Sequence, residues 1–351
     1  MKLTLWRDDV EILHPVAAAR QRHDVRSRLF LRLEHGAVEG FAEIAPQPFA
    51  LNGDPGIAEV IQELDGVVLL QIQGAFEREG SLPSWTRIAR FAGSRAASLP
   101  AAALVEMAFL DRELRADDTS VLSLWPRNFA TPVQATVSAL DEEPWHVPFG
   151  VARVRVKTSP GPLSAWALER LRELSVPVLL DFNCSATNDE DVFYQVRQIG
   201  DSAVLAAVEQ PFAAGNVVDH ARLAEQMDVP VSLDEGVRTV RDLAQIERYH
   251  AARLVCIKPA RVGGYANART MVERAKQLGL RPYIGGFFES PFARHVNRLL
   301  CEHCVEEPSD IGVVQTMRGE SATQLRTVAG GFGVAPNEEL LKKAVLIASF
   351  T

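Results

Sequence analysis

The segment Leu179-Leu180-Asp181-Phe182-Asn183 is a short apolar run that carries a carboxylate where it ends, and the chain contains five charged-ended segments of this kind. Runs rich in Val, Leu and Ile are typical of parallel strands that are buried on both faces. The charged residues are spaced 24, 28, 25 and 24 positions apart: Lys157, Asp181, Glu209, Asp234 and Lys258. One strand, one helix and two loops of a (β/α)8 barrel need about this length, and barrel enzymes carry catalytic groups at the carboxyl ends of strands. The spacing therefore predicts one site with three carboxylates on neighbouring strands and an amine on each side.

Residues 1–128 have the pattern of an α+β capping domain. Three segments have strand composition, and helical stretches follow them: residues 3–6, 27–33 and 40–44. Strands followed by helices indicate an α+β arrangement. Two polar loops, at residues 14–24 and 46–55, are long enough to cover a pocket.

From residue 129 onward, short apolar runs alternate with helical stretches, which predicts a parallel sheet. Residues 133–138 are the expected first strand, and residues 281–285 and 310–314 complete eight strands. We therefore expect an α/β fold, a modified (β/α)8 (TIM-like) barrel over residues 129–330. The C-terminal segment 331–351 is expected to rejoin the capping domain.

Composition and charge exclude several classes of function. The formal net charge of −8 argues against a nucleic-acid surface, which is usually basic. No apolar run reaches the roughly 18 residues of a membrane span, and Arg7, Asp8 and Asp9 stand where a signal peptide is apolar. Cys301 and Cys304 form a CxxC, but a zinc site needs further ligands, so we expect two positions on one helix. The sequence predicts a cytoplasmic protein with a small-molecule partner, and it leaves homo-oligomerisation open.

The three carboxylates predict a metal site. Like charges held together raise one another's pKa, and a divalent cation removes this conflict. Mg²⁺ takes oxygen ligands in octahedral geometry and often keeps positions for water or substrate. We therefore predict that Asp181, Glu209 and Asp234 bind Mg²⁺, with Mn²⁺ as the alternative ion. An isolated ion pair at a strand end is the competing interpretation for any one of them.

The two lysines predict the chemistry. Lys157 and Lys258 flank the carboxylates and should face each other across the metal. Such a site can remove a proton next to a substrate carboxylate, while the metal accepts the negative charge that develops. Arg155 lies two residues before Lys157 and shares its face of the strand, where a second cation can hold the substrate carboxylate.

Other residues after the strand ends are candidates for the substrate pocket. The candidate substrate contacts, besides Arg155, are Asn183, Gly285, Gly286, Glu289 and Ser290. Glycines allow close backbone approach, so backbone N–H groups near Gly285-Gly286 or Gly263-Gly264 can bind a second carboxylate; a tight turn is the alternative. Glu235 follows Asp234 and is a candidate for supporting the ligands, provided that the strand has already ended.

These residues resemble the enolase superfamily, muconate-lactonizing subgroup. The matching segments are Arg155-Val156-Lys157, Asp181-Phe182-Asn183, Val208-Glu209-Gln210-Pro211, Leu233-Asp234-Glu235 and Ile257-Lys258-Pro259, and residues 40–46 (GFAEIAP) look like the family's capping domain. The resemblance implies metal ligands on strands three to five and lysines on strands two and six. One departure is Arg155, which stands where the family has the first lysine of a KxK motif; arginine keeps the charge but is bulkier and forked.

Within that subgroup, residues 257–265 (IKPARVGGY) and 285–290 (GGFFES) look like o-succinylbenzoate synthases and the related N-succinylamino acid racemases. The resemblance implies a lyase that dehydrates a cyclohexadiene carboxylate (SHCHC) to o-succinylbenzoate, a step of menaquinone biosynthesis. Lys157 then removes the α-proton and Lys258 stabilises the enediolate. In an N-succinylamino acid racemase or dipeptide epimerase, the same lysines exchange protons on opposite faces. A muconate-type cycloisomerase and a non-catalytic binding protein are the remaining alternatives.

Overall fold

A computed structural model of the chain describes residues 1–18, 21–92, 97–124, 132–312 and 318–351. Two main sheets organise these residues, a four-stranded antiparallel sheet and a curled seven-stranded parallel sheet. The α/β fold expected from the sequence is confirmed in this form. None of the described helices combines the length and the apolar character needed to cross a bilayer.

The antiparallel sheet has the strand order β13-β1-β2-β3. Its strands are β1 (Lys2–Ala18), β2 (Gln21–His35), β3 (Val38–Ile44) and β13 (Val345–Phe350). The prediction of a loop at residues 14–24 was wrong, because β1 and β2 extend through most of this segment as a long hairpin. The C-terminal β13 pairs antiparallel with β1, so the chain end returns to the N-terminal sheet.

Helical segments follow β3 in the chain, before the parallel sheet begins. They are α1 (Ile57–Glu63), a π-helical segment (Leu64–Val68), α2 (Leu69–Glu79), α3 (Trp85–Ala92), α4 (Leu99–Ala116) and α5 (Val121–Leu124). The helix α4 packs directly on β3 at Gly40, where a Cβ atom would lie 2.4 Å from the carbonyl oxygen of Ala108. Glycine at this position therefore sets the close distance between helix and sheet.

The parallel sheet has the order β10-β9-β8-β7-β6-β5-β4. Its strands are β4 (Gln134–Ser138), β5 (Arg153–Lys157), β6 (Val178–Asp181), β7 (Leu205–Glu209), β8 (Val231–Leu233), β9 (Leu254–Ile257) and β10 (Arg281–Ile284). The helices that follow are α6 (Ala165–Glu173), α7 (Asp189–Ile199), α8 (Val217–Gln226), α9 (Val240–Tyr249), α10 (Pro259–Val262), α11 (Tyr265–Gln277) and α12 (Pro291–Cys304). The remaining elements are two 3₁₀ turns (Gly200–Ser202 and Ala322–Gln324), β11 (Leu325–Thr327), β12 (Val334–Pro336) and α13 (Glu338–Leu341).

The eighth strand expected at residues 310–314 is not formed as a strand in the described part of this segment. Ser309 bridges to Val133 and Asp310 bridges to Gly285, so single bridges link the two ends of the sheet. Gly312 then adopts a φ of +66°, which turns the chain out of the extended conformation. Residues 313–317 lie outside the described residues. Cys301 and Cys304 are buried, unpaired thiols of α12, as the helix interpretation predicted.

Glu106 of α4 connects the helical layer to the N-terminus of α11. Its carboxylate accepts hydrogen bonds from the backbone N–H groups of Tyr265 (2.9 Å) and Ala266 (3.1 Å). Burial raises the pKa of Glu106 to about 7, although these two hydrogen bonds act in the opposite direction. The backbone N–H groups that follow Gly264, which were candidates for binding a second substrate carboxylate, therefore bind the carboxylate of Glu106 instead.

Candidate active site

The carboxyl ends of β5 to β9 bring the five charged residues to one edge of the parallel sheet. The register places Lys157 beside Asp181 and Asp181 beside Glu209. The carboxylates of Asp181, Glu209 and Asp234 are fully buried, and the two lysines are nearly so. Five ionisable groups are thus held together away from water, which requires that their charges compensate one another.

The two lysines lie on opposite sides of the carboxylates. The Nζ of Lys157 donates hydrogen bonds to Asp181 Oδ2 (2.8 Å) and Asn183 Oδ1 (2.7 Å). The Nζ of Lys258 donates to Asp234 Oδ2 (2.7 Å) and lies 4.6 Å from the centre of the Phe287 ring. Each amine is therefore anchored to a different carboxylate of the group.

The guanidinium of Arg155 lies between the same three carboxylates. Its Nε is 3.2 Å from Asp181 Oδ2, its Nη2 is 3.4 Å from Asp234 Oδ2, and its Nη2 also pairs with Glu209. Its Nη1 is 2.8 Å from Asp310 Oδ2, outside the group. Because one planar group contacts all three carboxylates, these carboxylates converge on a single point.

The charges at this point are strongly coupled. Burial would raise the pKa of Asp181, but Lys157 and Arg155 outweigh burial and hold that pKa below its usual value. The pKa of Asp234 is likewise held well below its usual range, because Arg261 and Lys258 outweigh its burial. Both groups are therefore carboxylates at neutral pH and can serve as anionic ligands.

The three carboxylates fit a hard divalent cation by chemistry and by convergence. Glu209 Oε1 lies against the Arg155 guanidinium without accepting a hydrogen bond, so a lone pair of this oxygen is left for a ligand. As the described side chains stand, no three acidic, thiol or imidazole groups form a ready metal site, and the guanidinium fills the space between the predicted ligands. A divalent cation at this point would therefore compete with the Arg155 guanidinium for the same carboxylate oxygens.

Asn183 and Glu235 form a supporting pair beside Lys157. Asn183 adopts a φ of +45° and donates from Nδ2 to Glu235 Oε1 at 3.3 Å. Glu235 faces the pocket because β8 ends at Leu233, before strand alternation would turn its side chain away. Burial raises the pKa of Glu235, and the nearby Asp234 adds to the effect.

The candidates after β10 have different positions. At Gly285 a Cβ atom would lie 2.5 Å from Cys256 Sγ and 2.8 Å from Lys258 Cε, so glycine makes room for the lysine. Gly286 and Glu289 line the pocket region. Ser290, which was predicted to contact the substrate, is fully buried and lies outside the lining of the pocket. Its hydroxyl caps α12 and donates a hydrogen bond to Glu43, so it is used within the fold.

Two adjoining cavities open over the strand ends. The lysine cavity, of about 770 Å³ including its opening to solvent, is lined by Lys157, Lys258, Asn183, Glu235 and Arg26, among others. The outer cavity, of about 1040 Å³ including its opening, shares Gly286 and Asp310 with it and reaches the stacked rings of His14 and His146. A ligand at the lysines can therefore extend into the outer cavity.

Several residues of the site were not predicted from the sequence. Arg261 contacts Asp234 and donates to Asp54 Oδ2 at 2.7 Å, while Tyr283 donates to Glu209. Arg261 lies only three positions after Lys258, on the short helix α10 that follows β9. This nearness to a predicted site residue was a signal in the sequence that could have identified it. Asp54 lies in the predicted polar loop at residues 46–55, but nothing local to that loop indicates which partner it meets.

Comparisons with known proteins identify the family of the chain and match its fold. The model for the enolase C-terminal domain-like family matches residues 149–325. An N-succinylamino acid racemase from an Amycolatopsis species is 27% identical over an alignment that covers 97% of each chain. An o-succinylbenzoate synthase from Geobacillus stearothermophilus is 31% identical over 158 residues, which are 43% of this chain and 40% of that protein. The crystal structure of an N-succinyl Arg/Lys racemase from Bacillus cereus has a TM-score of 0.83 at 16% identity, covering 100% of this chain and 98% of that chain.

The family model spans half of the chain and includes all five charged strand ends. The chain therefore belongs to the enolase superfamily, whose members are enzymes.

Proposed function

We propose that this protein is a Mg²⁺-dependent lyase of the o-succinylbenzoate synthase type, which removes a proton α to a carboxylate and then eliminates water. The observation that carries the proposal is the pair of buried lysines on opposite sides of three convergent carboxylates, both lining one cavity. Enolase superfamily enzymes use a divalent metal, typically Mg²⁺. The relatives named o-succinylbenzoate synthase support the reaction type.

The metal would be held by Asp181, Glu209 and Asp234, in place of the Arg155 guanidinium. When bound, the ion stabilises the negative charge that develops on the substrate carboxylate as the α-proton leaves. Asn183 and Glu235 fix the position of Lys157 on the cavity side through the hydrogen bonds described above.

Lys157 takes the α-proton onto Nζ and later returns a proton to the departing hydroxyl. Lys258 remains an ammonium group and stabilises the enediolate from the other side. Phe287 and Gly285 border the Lys258 side chain, so its Nζ is restricted to a small region of the cavity. Restriction of this kind lowers the entropic cost of reaching a reactive geometry.

An N-succinylamino acid racemase is the second candidate, and a specific observation favours it. The alignment with the Amycolatopsis racemase covers 97% of this chain, whereas the alignments with the synthases from Geobacillus and Enterococcus cover 43% to 47%. In this reaction Lys157 and Lys258 act as base and acid on opposite faces of the α-carbon.

The two candidates are separated by assaying purified protein with Mg²⁺ on two substrates. Conversion of SHCHC to an aromatic product supports the lyase, and interconversion of enantiomers of N-succinylamino acids without dehydration supports the racemase. Lys157→Ala should be inactive in either case, while Lys2→Ala, which changes an exposed lysine paired with Glu34, should retain full activity. Activity of the Lys157 variant equal to the wild type would exclude both mechanisms.

A further inference from the structure

Arg26 is a buried cation that lines the lysine cavity without a carboxylate partner. It lies on β2, and only 4% of its surface is exposed. Its Nη1 donates to the side-chain amide oxygen of Gln47 (3.2 Å), its Nη2 donates to the carbonyl oxygen of Ala45, and its Nε has no hydrogen-bond partner. These acceptors are neutral, so the charge of Arg26 is not compensated by direct contact.

The other lysines and arginines that line this cavity are paired, as far as the described residues show. Arg155 and Lys157 contact Asp181, and Lys258 and Arg261 contact Asp234. Arg26 differs from all four, because no carboxylate within the described part of the chain forms an ion pair with it.

The carboxylates that act on Arg26 from a distance are engaged elsewhere. Asp54 pairs with Arg261 at 2.7 Å and with Arg238 at 3.0 Å. Glu289 accepts hydrogen bonds from backbone N–H groups, including that of Phe287. Burial lowers the pKa of Arg26 to about 10, and Glu289 and Asp54 only partly offset this effect. A guanidinium buried in this way gains from an anion that enters the cavity.

Arg26 and Lys258 both lie near the ring of Phe287, which limits the distance between them. The Cζ of Arg26 is 5.8 Å from the centre of this ring, and the Nζ of Lys258 is 4.6 Å from the same point. The two cations are therefore no farther apart than these distances combined, about 10 Å. One small molecule can place its reacting carbon at Lys258 and an anionic group at Arg26.

We propose that Arg26 binds a second carboxylate of the substrate, a few bonds away from the carbon that loses its proton. The inference rests on the proposed function, because it assumes that the α-carbon lies between Lys157 and Lys258. It assigns Arg26 as the residue that holds the terminal carboxylate, which SHCHC and N-succinylamino acids both carry, and that selects these substrates over analogues without this group. The planar fork of the guanidinium matches the two oxygens of a carboxylate.

Binding of matched ligand pairs tests the proposal. One pair is o-succinylbenzoate and 2-butanoylbenzoate; the other is N-succinyl-L-phenylalanine and N-butanoyl-L-phenylalanine. Within each pair only the terminal carboxylate is replaced by a methyl group. Titration calorimetry with Mg²⁺ present should show that the wild type binds the diacid of at least one pair about 10- to 100-fold more tightly, as expected for a charged hydrogen-bonded contact.

Substitutions locate this preference. Arg26→Gln should weaken binding of the diacid to the level of the monoacid and leave the monoacid unchanged, and Arg26→Lys should restore part of the preference. Arg32→Gln is the matched control, because Arg32 lies on the same strand but pairs with Glu34 and Glu39. Should Arg26→Gln fail to fold, the lysine variant and the wild-type comparison still decide the question.

The proposal is overturned if the wild type does not prefer the diacid in either pair, or if Arg26→Gln keeps the preference. A preference that depends on Arg26 without any turnover would instead refute the proposed reaction and leave the carboxylate site intact. Turnover without such a preference would support the reaction and refute the role of Arg26.

Discussion

Replacement of Arg155 tests whether its guanidinium and a divalent ion compete for the same three carboxylates. In the metal-free protein, Arg155→Ala leaves Asp181, Glu209 and Asp234 buried without their shared cation. Removal of one partner from a buried ion pair costs about 3–5 kcal/mol, so the metal-free variant should lose stability by about this amount. Saturating Mg²⁺ should restore much of the loss, because the ion supplies the missing charge.

Metal affinity should change in the opposite direction. In the wild type, the ion must displace a guanidinium that contacts all three carboxylates, whereas in Arg155→Ala this shared competitor is gone and only the separate contacts of Lys157, Lys258 and Arg261 remain. A charged hydrogen bond contributes about 1.5–3 kcal/mol, so loss of even one such competing contact should tighten Mg²⁺ binding by about 10- to 100-fold. Arg155→Lys keeps the positive charge but loses the forked guanidinium, so its Mg²⁺ affinity should lie between those of the wild type and Arg155→Ala.

Calorimetric titration of chelator-treated protein with Mg²⁺, together with thermal unfolding with and without the ion, measures both effects. Arg28→Ala is the matched control, since the Arg28 side chain is 3% exposed, like that of Arg155, and pairs with Asp8 and Glu320 away from the site. It should also destabilise the protein, but Mg²⁺ should not rescue it. Equal Mg²⁺ affinity in wild type and Arg155→Ala, without rescue of the variant, would refute the competition.

Three further substitutions test other parts of the account. Lys258→Ala should abolish racemisation but leave a dehydratase a little activity, which chiral chromatography and absorbance assays distinguish; full racemisation by this variant would contradict its role. Gly285→Ala should lower turnover by roughly 100-fold with little change in Mg²⁺ affinity, because the added methyl group displaces the Lys258 side chain. Glu106 has a pKa of about 7, raised from 4.5, so the stability that its protonated form contributes is complete below about pH 4.5 and lost as the pH rises through 7. Urea unfolding should therefore show that the free energy of unfolding of the wild type falls by about 3 kcal/mol across this pH range, and that of Glu106→Gln should not. The same pH dependence of the unfolding free energy in both proteins would contradict the raised pKa of Glu106.

The chemistry-bearing strand ends could be predicted because each is a local feature. A run of apolar residues followed by one charged residue defines both a buried strand and the group that it presents, as at Asp181 and Lys258. Parallel pairing then brings these ends together without further information, since the carboxyl ends of neighbouring strands share one edge of the sheet. The fold class and the family followed from this pattern.

Other features depend on contacts between distant segments, which no local pattern specifies. Arg26 is more than 100 positions from Lys157, and only the path of the long hairpin brings it to the lysine cavity. The target of the Arg155 guanidinium depends on side chains from three other strands. Ser290 was predicted as a pocket residue from its neighbours in sequence, but Glu43 and the start of α12 occupy its hydroxyl.

The most direct test of the central claim is the proton spectrum of substrate incubated in D₂O with Mg²⁺ and either the wild type or Lys157→Ala. SHCHC and N-succinylamino acids are offered separately. We expect the wild type either to convert SHCHC to the aromatic product or to replace the α-proton of an N-succinylamino acid with deuterium, and we expect Lys157→Ala to do neither. Exchange at the α-carbon that persists in Lys157→Ala, or none with any of these carboxylates in the wild type, would contradict this expectation.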